Sequence, residues 1–276
     1  MTQATRWLSV RVRPGADRVA VTAALFTLGS QGVQEVGDEL HTAFEASLGE
    51  ATIRDAIRDA SPGAQVEVSA VAPVDWSEAW KARIGLQELG AIDIAPPWLA
   101  EGRDPARTVV IEPEMAFGTG EHATTRGVVR LMQGVVRRGD RIADLGAGSA
   151  VLAIAAAKLG ARSVAAIELD PEAISNAEEN VRRNGVEDRV RVLEGDATHL
   201  LPLVAPVRVI FANIISSVLL QILPLIGSAL EPDGRAILSG ILEEEREEML
   251  QALEEGGWRV EGEDREDIWW SVVIAR

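Results

Sequence analysis

The chain has 276 residues, no cysteine, and 43 acidic against 27 basic side chains, which gives a formal net charge of −16. At about 100–200 residues per domain, this length fits one large domain or two unequal ones. The lack of cysteine excludes disulfides, thiolate metal sites and cysteine nucleophiles, and the acidic balance excludes non-specific duplex binding through a basic face.

Residues 1–72 have a pattern of their own. Apolar side chains alternate over Trp7–Arg13, which predicts a half-buried strand, and Pro14-Gly15 ends it before a predicted helix over 16–28. Further predicted elements follow as strands at 33–36 and 40–46, a helix at 50–60 and a strand at 65–71. The order strand, helix, two strands, helix, strand predicts a small ferredoxin-like α+β domain.

The next segment, 73–98, breaks this pattern. It holds Trp76, Trp80 and Trp98 together with three prolines, and it shows few strong periodicities. We interpret it as a linker with a short helix around 76–83, which leads into a second domain over 99–276.

Strands and helices alternate through the second domain. Continuous apolar strands separated by helices predict a parallel sheet that is covered on both faces. Predicted strands lie at 141–145, 163–168, 190–194, 207–212 and 235–242, and predicted helices at 149–159, 171–184, 216–230 and 243–255. Residues 258–261 and 268–275 face each other across an acidic turn, which predicts an antiparallel hairpin at the sheet edge.

A glycine turn joins the first of these strands to its helix in the segment Ala143–Leu152, which reads ADLGAGSAVL. Glycines let a backbone pass close to a ligand, and a helix N-terminus offers free N–H groups. A dinucleotide fingerprint requires a third small residue at the position of Val151, so the dinucleotide version fails. A purely structural turn stays open as the alternative.

Glu168 ends the next predicted strand, about 20 residues after the glycines, where an acid can accept both hydroxyls of a ribose. The alternative for Glu168 and Asp170 is that both are acids favoured by a helix dipole. Asp170 fits that alternative as an N-cap before Pro171, whereas Glu168 lies inside the strand end and is better explained by a ribose.

These features together resemble a class I S-adenosylmethionine-dependent methyltransferase, since Gly195-Asp196-Ala197 follows the third predicted strand and Ala212-Asn213 the fourth. Longer motifs are more specific, and they resemble the PrmA family, the methyltransferases of large-subunit ribosomal protein eleven. They are FGTGEHATT at 117–125, DWSEAWK at 75–81, IAPPW at 94–98 and SGIL at 239–242. The resemblance runs from about Pro73 onward, and the N-terminal module agrees only in predicted topology.

The resemblance implies a Rossmann-like, mostly parallel sheet with an antiparallel C-terminal hairpin, and S-adenosylmethionine as the cofactor. It assigns cofactor contacts to Thr125, Gly146, Gly148, Glu168, Asp196 and Asn213, with Asn213 also as the catalytic residue. Three positions depart from the family pattern: Glu168 stands for a usual aspartate, Ala150 for a common glycine and Ala123 for a common proline.

Asn213 would act through its amide carbonyl, which can orient an amine lone pair toward the methyl group. Methyl transfer from a sulfonium is an in-line displacement, so positioning can supply most of the catalysis. No obvious general base is present; His122 is nearest in sequence, and a role in fixing the loop is the favoured alternative. One of Thr124 and Thr125 is expected to cap a helix, and no ligand spacing predicts a metal site.

The resemblance implies a protein-lysine N-methyltransferase, with α-amino groups as further acceptors, that acts on a basic ribosomal protein. The N-terminal module is then the substrate-recognition domain. Residues 241–276 hold 12 acids and 4 bases, a field that favours a basic partner, although such runs are commonly solvated helix faces. A related methyltransferase with another protein or small-molecule substrate stays open, as does a non-catalytic binding module.

The sequence also predicts where the protein acts and which classes of partner it does not bind. No signal peptide is visible, and no uncharged apolar stretch reaches about 18 residues. We therefore expect a cytoplasmic protein that binds no membrane, and the negative charge predicts no direct contact with nucleic acid.

Overall fold

The computed structural model describes residues 7–30, 32–71, 84–113 and 118–276. The chain forms two compact units, Met1–Arg83 and Ile84–Arg276. The predicted helix around 76–83 and the DWSEAWK motif lie outside the described residues, as does Phe117 of the FGTGEHATT motif. Among the residues that the structure describes, every helix is too short or too polar to cross a bilayer.

The first unit consists of β1 (Trp7–Arg13), α1 (Arg18–Thr27), β2 (Gln34–Val36), β3 (Glu39–Glu45), α2 (Glu50–Ala60) and β4 (Gln65–Val71). Its antiparallel sheet has the strand order β2-β3-β1-β4. Val10 and Val12 of β1 point to one face, where they pack with Leu25 of α1 and Ile57 of α2 in a fully buried core. This order of elements and strands confirms the predicted ferredoxin-like fold.

Residues 84–98, predicted as the end of a linker, belong to the second unit. They form β5 (Gln87–Glu88) and β6 (Asp93–Ala95), and β6 pairs with β7 (Thr108–Val110) to complete a small three-stranded sheet. Ile94 is buried in the core of this unit, so the segment is held by packing. Two of the prolines that suggested a linker, Pro96 and Pro97, instead end β6 and begin a 3-10 turn at Pro97–Leu99. The structure therefore differs from the predicted boundary over 84–98.

A seven-stranded sheet is the centre of the second unit. Its strands are β8 (Arg141–Leu145), β9 (Ser163–Glu168), β10 (Val190–Glu194), β11 (Val207–Asn213), β12 (Leu230–Leu242), β13 (Arg259–Glu266) and β14 (Trp269–Ala275). The order is β10-β9-β8-β11-β12-β14-β13, with β8 to β12 parallel and β14 antiparallel between β12 and β13. This sheet confirms the predicted class I methyltransferase fold.

Helices cover both faces of this sheet. Neighbouring residues of one strand belong to different apolar clusters, Ile142 to one and Ala143 to the other, because successive side chains point to opposite faces. The helices are α3 (Ala123–Val135), α4 (Val151–Lys158), α5 (Pro171–Arg183), α6 (Ala197–Val204), α7 (Ser216–Ala229) and α8 (Arg246–Glu255). Sequence analysis expected a helix to begin near Thr124 but gave no bounds for α3, and it did not place α6. Gly127 and Gly134 weaken the helical signal of α3, and Pro202 interrupts that of α6.

Candidate active site

Three predicted site residues lie at the carboxyl ends of neighbouring strands. Gly146 follows β8, Glu168 ends β9 and Asn213 ends β11, and these strands are adjacent in the order β9-β8-β11. The strand order reverses between β8 and β11, and open parallel sheets bind ligands in the crevice at such a switch point. The fold thus brings these residues to one edge of the sheet.

The glycine turn that follows β8 is built on left-handed backbone. Gly146, Gly148 and Ala150 have φ values of 69°, 51° and 64°. A Cβ on Gly146 would lie 2.7 Å from Cγ2 of Ile214, the residue after Asn213. The close approach of this chain segment therefore requires glycine at position 146, whereas Ala150 holds a conformation that its own Cβ disfavours.

The carboxylate of Glu168 is bonded to the backbone on both of its oxygens. Oε2 accepts the N–H of Gly148 at 2.8 Å, and Oε1 accepts the N–H groups of Leu169 and Asp170 at 2.8 and 2.9 Å. A carboxylate oxygen has two acceptor sites, and one of those on Oε2 is not used by the bond to Gly148. Asp170 caps α5 by accepting the N–H of Glu172 at 2.9 Å, as its alternative interpretation predicts.

Asp144 in β8 is a candidate that sequence analysis did not single out. Its side chain is fully buried; Oδ2 accepts the N–H of Ala153 at 3.1 Å, and Oδ1 has no partner among the described residues. Burial raises the pKa of Asp144 to about 7, with a further contribution from the charge of Glu168, against the N–H of Ala153, which lowers it. An acid inside the apolar run Ile142–Leu145 was the available signal.

His122 caps the first turn of α3, which carries Thr125. Nδ1 of His122 accepts the N–H of Thr124 at 3.4 Å and lies 2.7 Å from Oγ1 of Thr124. Both threonines lie inside the helix, so neither is the cap that sequence analysis expected. The His122 ring packs edge-on against Trp269, with centroids 4.8 Å apart. Burial, and then the charge of Arg126, lower the pKa of His122, which favours the neutral ring that the cap requires.

Thr125 and Asn213 carry polar groups that the described residues leave without a partner. Thr125 is fully buried, yet its Oγ1 makes no hydrogen bond to any residue that the structure describes. Asn213 is half-buried, and its amide likewise has no bond within the described ranges. Ile215 precedes α7 without a side-chain cap, so Asn213 does not serve that helix as one. A buried polar group without a partner costs free energy unless a ligand supplies one.

Asp196 follows β10, at the same edge of the sheet. Its Oδ1 accepts the N–H and the hydroxyl of Thr198 at 2.7 and 2.8 Å, which caps α6 and lowers the pKa of Asp196. The second carboxylate oxygen has no such bond. In the part of the chain that the structure covers, no group of three acidic or histidine side chains could hold a metal ion.

Comparison with known proteins identifies the family. The family model described as ribosomal protein L11 methyltransferase (PrmA) matches residues 16–276. The chain belongs to the PrmA family. The match begins inside the N-terminal unit, which the sequence motifs did not reach.

Two relatives and one solved structure illustrate the similarity to PrmA proteins. The ribosomal protein L11 methyltransferase of Symbiobacterium thermophilum is 40% identical over 212 residues, which cover 73% of this chain and 65% of the relative. That of Desulforamulus reducens is 36% identical over 205 residues, which cover 74% and 66%, so both matches span just under two thirds of the relative. A crystal structure of ribosomal protein L11 methylase from Lactobacillus delbrueckii subsp. bulgaricus superposes with a TM-score of 0.61 at 32% identity, and covers 69% of this chain and 98% of that one.

In this PrmA family member, the unpartnered polar groups occupy elements that contact one another. Thr125 lies on α3, Asn213 ends β11 and Asp144 lies in β8; β11 pairs with β8 and contacts α3. A hydroxyl, an amide and a carboxylate oxygen therefore lie around the switch point without partners in the part of the chain that the structure describes. This arrangement fits a polar ligand at the carboxyl edge of the sheet.

Proposed function

We propose that the protein is an S-adenosylmethionine-dependent N-methyltransferase that acts on lysine side chains, and further on α-amino groups, of a basic large-subunit ribosomal protein. Membership of the PrmA family supports the reaction class, and the names of the relatives supply ribosomal protein L11 as the candidate substrate. The observation that carries the proposal is the unpartnered amide of Asn213 beside the glycine turn, where Ile214 leaves no room for a side chain on Gly146.

S-Adenosylmethionine, when bound, supplies a methyl group on a sulfonium that an amine lone pair can attack. Glu168 would hold the ribose through the free acceptor site of Oε2, and the turn at Gly146 and Gly148 would bring the backbone close to the cofactor. Thr125 would turn its buried hydroxyl to the sulfonium or the carboxylate of the cofactor. Asp196 would bind through the oxygen that the cap of α6 leaves unused.

Asn213 would orient the attacking amine. The amine must be neutral, and a free lysine, with a pKa of about 10.4, is protonated at pH 7. The carbonyl of Asn213 would accept an N–H of the neutral amine and aim its lone pair at the methyl carbon. Positioning then supplies the catalysis. His122 has no part in this scheme, since its Nδ1 serves the cap of α3.

Recognition of the protein substrate is assigned to residues 1–72, and catalysis to the unit that begins at Ile84. The cofactor residues all lie in the second unit, and the first unit has an apolar core of its own. The acidic balance of residues 241–276 would attract a basic partner. We place the activity in the cytoplasm, where ribosomal proteins are made, without direct binding of nucleic acid or membrane, because the net charge of −16 repels phosphate groups.

Transfer of tritiated methyl groups to purified ribosomal protein L11 tests the proposal. We expect label on its amines, and none on a sample whose lysine and α-amino groups have been acetylated. Labelling of lysine should rise about tenfold per pH unit from pH 7 to 9, because the neutral fraction does, whereas labelling of an α-amino group should level off near pH 8. Label on a different protein or a small molecule overturns the substrate, and cofactor binding without any transfer overturns the activity.

A chain that lacks residues 1–72 tests the division of roles. We expect it to fold and to bind S-adenosylhomocysteine, because domains with their own core can fold alone. Methylation of the ribosomal protein should collapse. Methylation at the full-length rate would show that recognition belongs to the second unit.

A further inference from the structure

A β-bulge interrupts the pairing of β12 with β14 at the carboxyl edge of the sheet. The register shifts between Leu238 and Ile241, so two residues of β12, Ser239 and Gly240, stand opposite Ser271 alone. Gly240 has a φ of 84°, which glycine adopts without steric cost. Bulges of this kind occur next to active sites, where they re-aim a strand. These residues open the SGIL motif, to which the proposed function assigns no role.

The bulge holds the chain segment that follows Asn213. Asn213 pairs with Ser239 in the parallel register, and the carbonyl of Ser239 accepts the N–H of Ile214 at 3.1 Å. A Cβ on Gly240 would lie 2.5 Å from the carbonyl oxygen of Ile214 and 2.9 Å from the carbonyl carbon. Only glycine permits this contact. Because Ile214 also fills the space beside Gly146, the bulge fixes the position of Asn213 relative to the glycine turn.

The same bulge holds the first turn of α3. Ser239 is fully buried and donates its hydroxyl to the carbonyl of Thr124 at 3.2 Å; its oxygen lies 2.7 Å from the hydroxyl oxygen of Ser271, which is then the donor of that pair. Three residues further along the helix, on the same face as Thr124, a Cβ on Gly127 would lie 2.6 Å from Oγ of Ser271, so helix and strand are in close contact. Since Thr125 follows Thr124, these contacts set the position of its unpartnered hydroxyl.

We propose that Ser239 and Gly240 are positioning residues that fix the distance between Thr125 and Asn213 across the crevice. The inference rests on the proposed function, which gives those two residues their roles in cofactor binding and methyl transfer. The hydroxyl of Ser239 acts on the helix, and the bare α-carbon of Gly240 acts on the end of the strand. Because different residues of the bulge contact α3 and the end of β11, separate substitutions can distinguish the effect on Thr125 from the effect on Asn213.

Ser239→Ala removes the bond to α3 and keeps the backbone contact with Ile214. We expect the Kd for S-adenosylhomocysteine, measured by calorimetry, to rise about 2- to 10-fold, because a displaced Thr125 would lose one neutral hydrogen bond to the ligand. The single-turnover rate at saturating cofactor should stay within about twofold of wild type. Ser271→Ala leaves the bond from Ser239 to the helix in place and should have the smaller effect. Ser228→Ala, on an exposed face of α7, is the matched control and should leave Kd unchanged.

Gly240→Ala brings a methyl group against the carbonyl of Ile214. We expect the single-turnover rate to fall at least about tenfold, because misplacing reacting groups by about 1 Å can cost about 100-fold, while Kd for S-adenosylhomocysteine stays within about threefold. Gly262→Ala is the matched control, since it lies at the register shift between β13 and β14, where its Cβ would have no neighbour nearer than 3.6 Å. That control should react at the wild-type rate.

Melting temperature and hydrogen exchange at the N–H of Ile214 are measured on the same preparations. Exchange should be faster in Gly240→Ala. A wild-type Kd in Ser239→Ala, or a wild-type rate or exchange in a folded Gly240→Ala, overturns the proposal. If Gly240→Ala does not fold, the Kd of Ser239→Ala decides. A wild-type protein that transfers no methyl group overturns the proposed function, and Kd and exchange then decide the positioning role by themselves.

Discussion

The polar groups on the two sides of the sheet edge differ in whether they are hydrogen-bonded within the described residues. On the side of β9 and β10, Glu168 and Asp196 accept backbone N–H groups without any ligand. On the side of β11 and α3, Asn213 and Thr125 have no partner among the described residues. A satisfied carboxylate holds its loop in advance, whereas a ligand can supply the partner that the buried hydroxyl of Thr125 and the half-buried amide of Asn213 do not find among the described residues. The side of Glu168, which we propose to bind the ribose, is therefore preformed, and the side of Asn213, which we propose for methyl transfer, is where a bound ligand would add new hydrogen bonds.

Asp144 lies in β8, between the two sides, and one of its carboxylate oxygens has no partner among the described residues. The substitution Asp144→Asn has the largest expected effect. Its folded-state pKa of about 7 lies above the ordinary value of 3.8. The contribution of this carboxyl to the free energy of unfolding is therefore fully present below about pH 4 and is lost as the pH rises to about 7. At pH 8 we expect the variant to exceed wild type in free energy of unfolding by on the order of 2–4 kcal/mol. Urea denaturation at pH 4 and pH 8 measures the gap, and a gap of equal size at both would contradict the burial of an ionised carboxylate.

Glu168→Gln tests the centre of the preformed side. Its amide group would face the backbone N–H groups that the carboxylate now accepts, and the charge-assisted bonds to the turn and the ribose would be lost. We expect S-adenosylmethionine to bind more weakly by about 1–3 kcal/mol in calorimetry. Asp170→Asn is the matched control, because asparagine caps a helix as well as aspartate does. An unchanged dissociation constant in Glu168→Gln would remove that residue from the site.

Asn213→Ala tests the methyl-transfer side. A side chain that orients the amine acts in the transition state, so kcat should fall more than KM rises, by at least about tenfold or 1.4 kcal/mol. The melting temperature should change little, because Asn213 caps no helix. Gln251→Ala on the exposed face of α8 is the control. A lower melting temperature with wild-type turnover per folded molecule would assign Asn213 a structural role instead.

Ala150→Gly has the smallest expected effect and concerns the backbone of the preformed side. Ala150 holds left-handed backbone just before α4, which glycine tolerates better. We expect the free energy of unfolding of the variant to be about 1 kcal/mol higher than that of wild type, and its cofactor affinity to be unchanged. Ala153→Gly inside α4 should change the free energy of unfolding in the opposite direction. Thermal denaturation of both variants checks the sign, and destabilisation by Ala150→Gly would show that its methyl packing matters more than its backbone.

The local sequence pattern was enough to predict the bounds of three neighbouring strands of the sheet. Strands β8, β9 and β10 have the predicted bounds because apolar runs ended by polar residues allow a single placement. The predicted C-terminal hairpin lies at the sheet edge, with β13 as its outer strand. Strand β14 pairs with both β12 and β13, and that choice depends on register across the whole sheet.

The resemblance predicts which residues form the site, whereas their hydrogen bonds depend on the folded structure. The resemblance points to Glu168, whereas its bond to Gly148 joins residues 20 apart in sequence and exists only once β8 and β9 are paired. The cap on α3 comes from His122 because its ring reaches the helix N–H, a geometry that the preference of threonine for caps does not reveal. The unpartnered oxygen of Asp144 requires burial by elements on both faces of the sheet.

Because β14 lies between β12 and β13, the pairing that holds the bulge in β12 requires a strand that is synthesised after it. A nascent chain that has emerged only as far as Leu242 holds the glycine turn and the strands from β8 to β12, but it lacks Ser271 opposite the bulge and Trp269 beside His122. Chains emerge from the ribosome with their N-terminal parts first. The hydrogen bonds of the Glu168 carboxylate join residues no later than Asp170 and can form while translation continues, whereas the contact of Ser239 with Ser271 is available only after β14 has emerged.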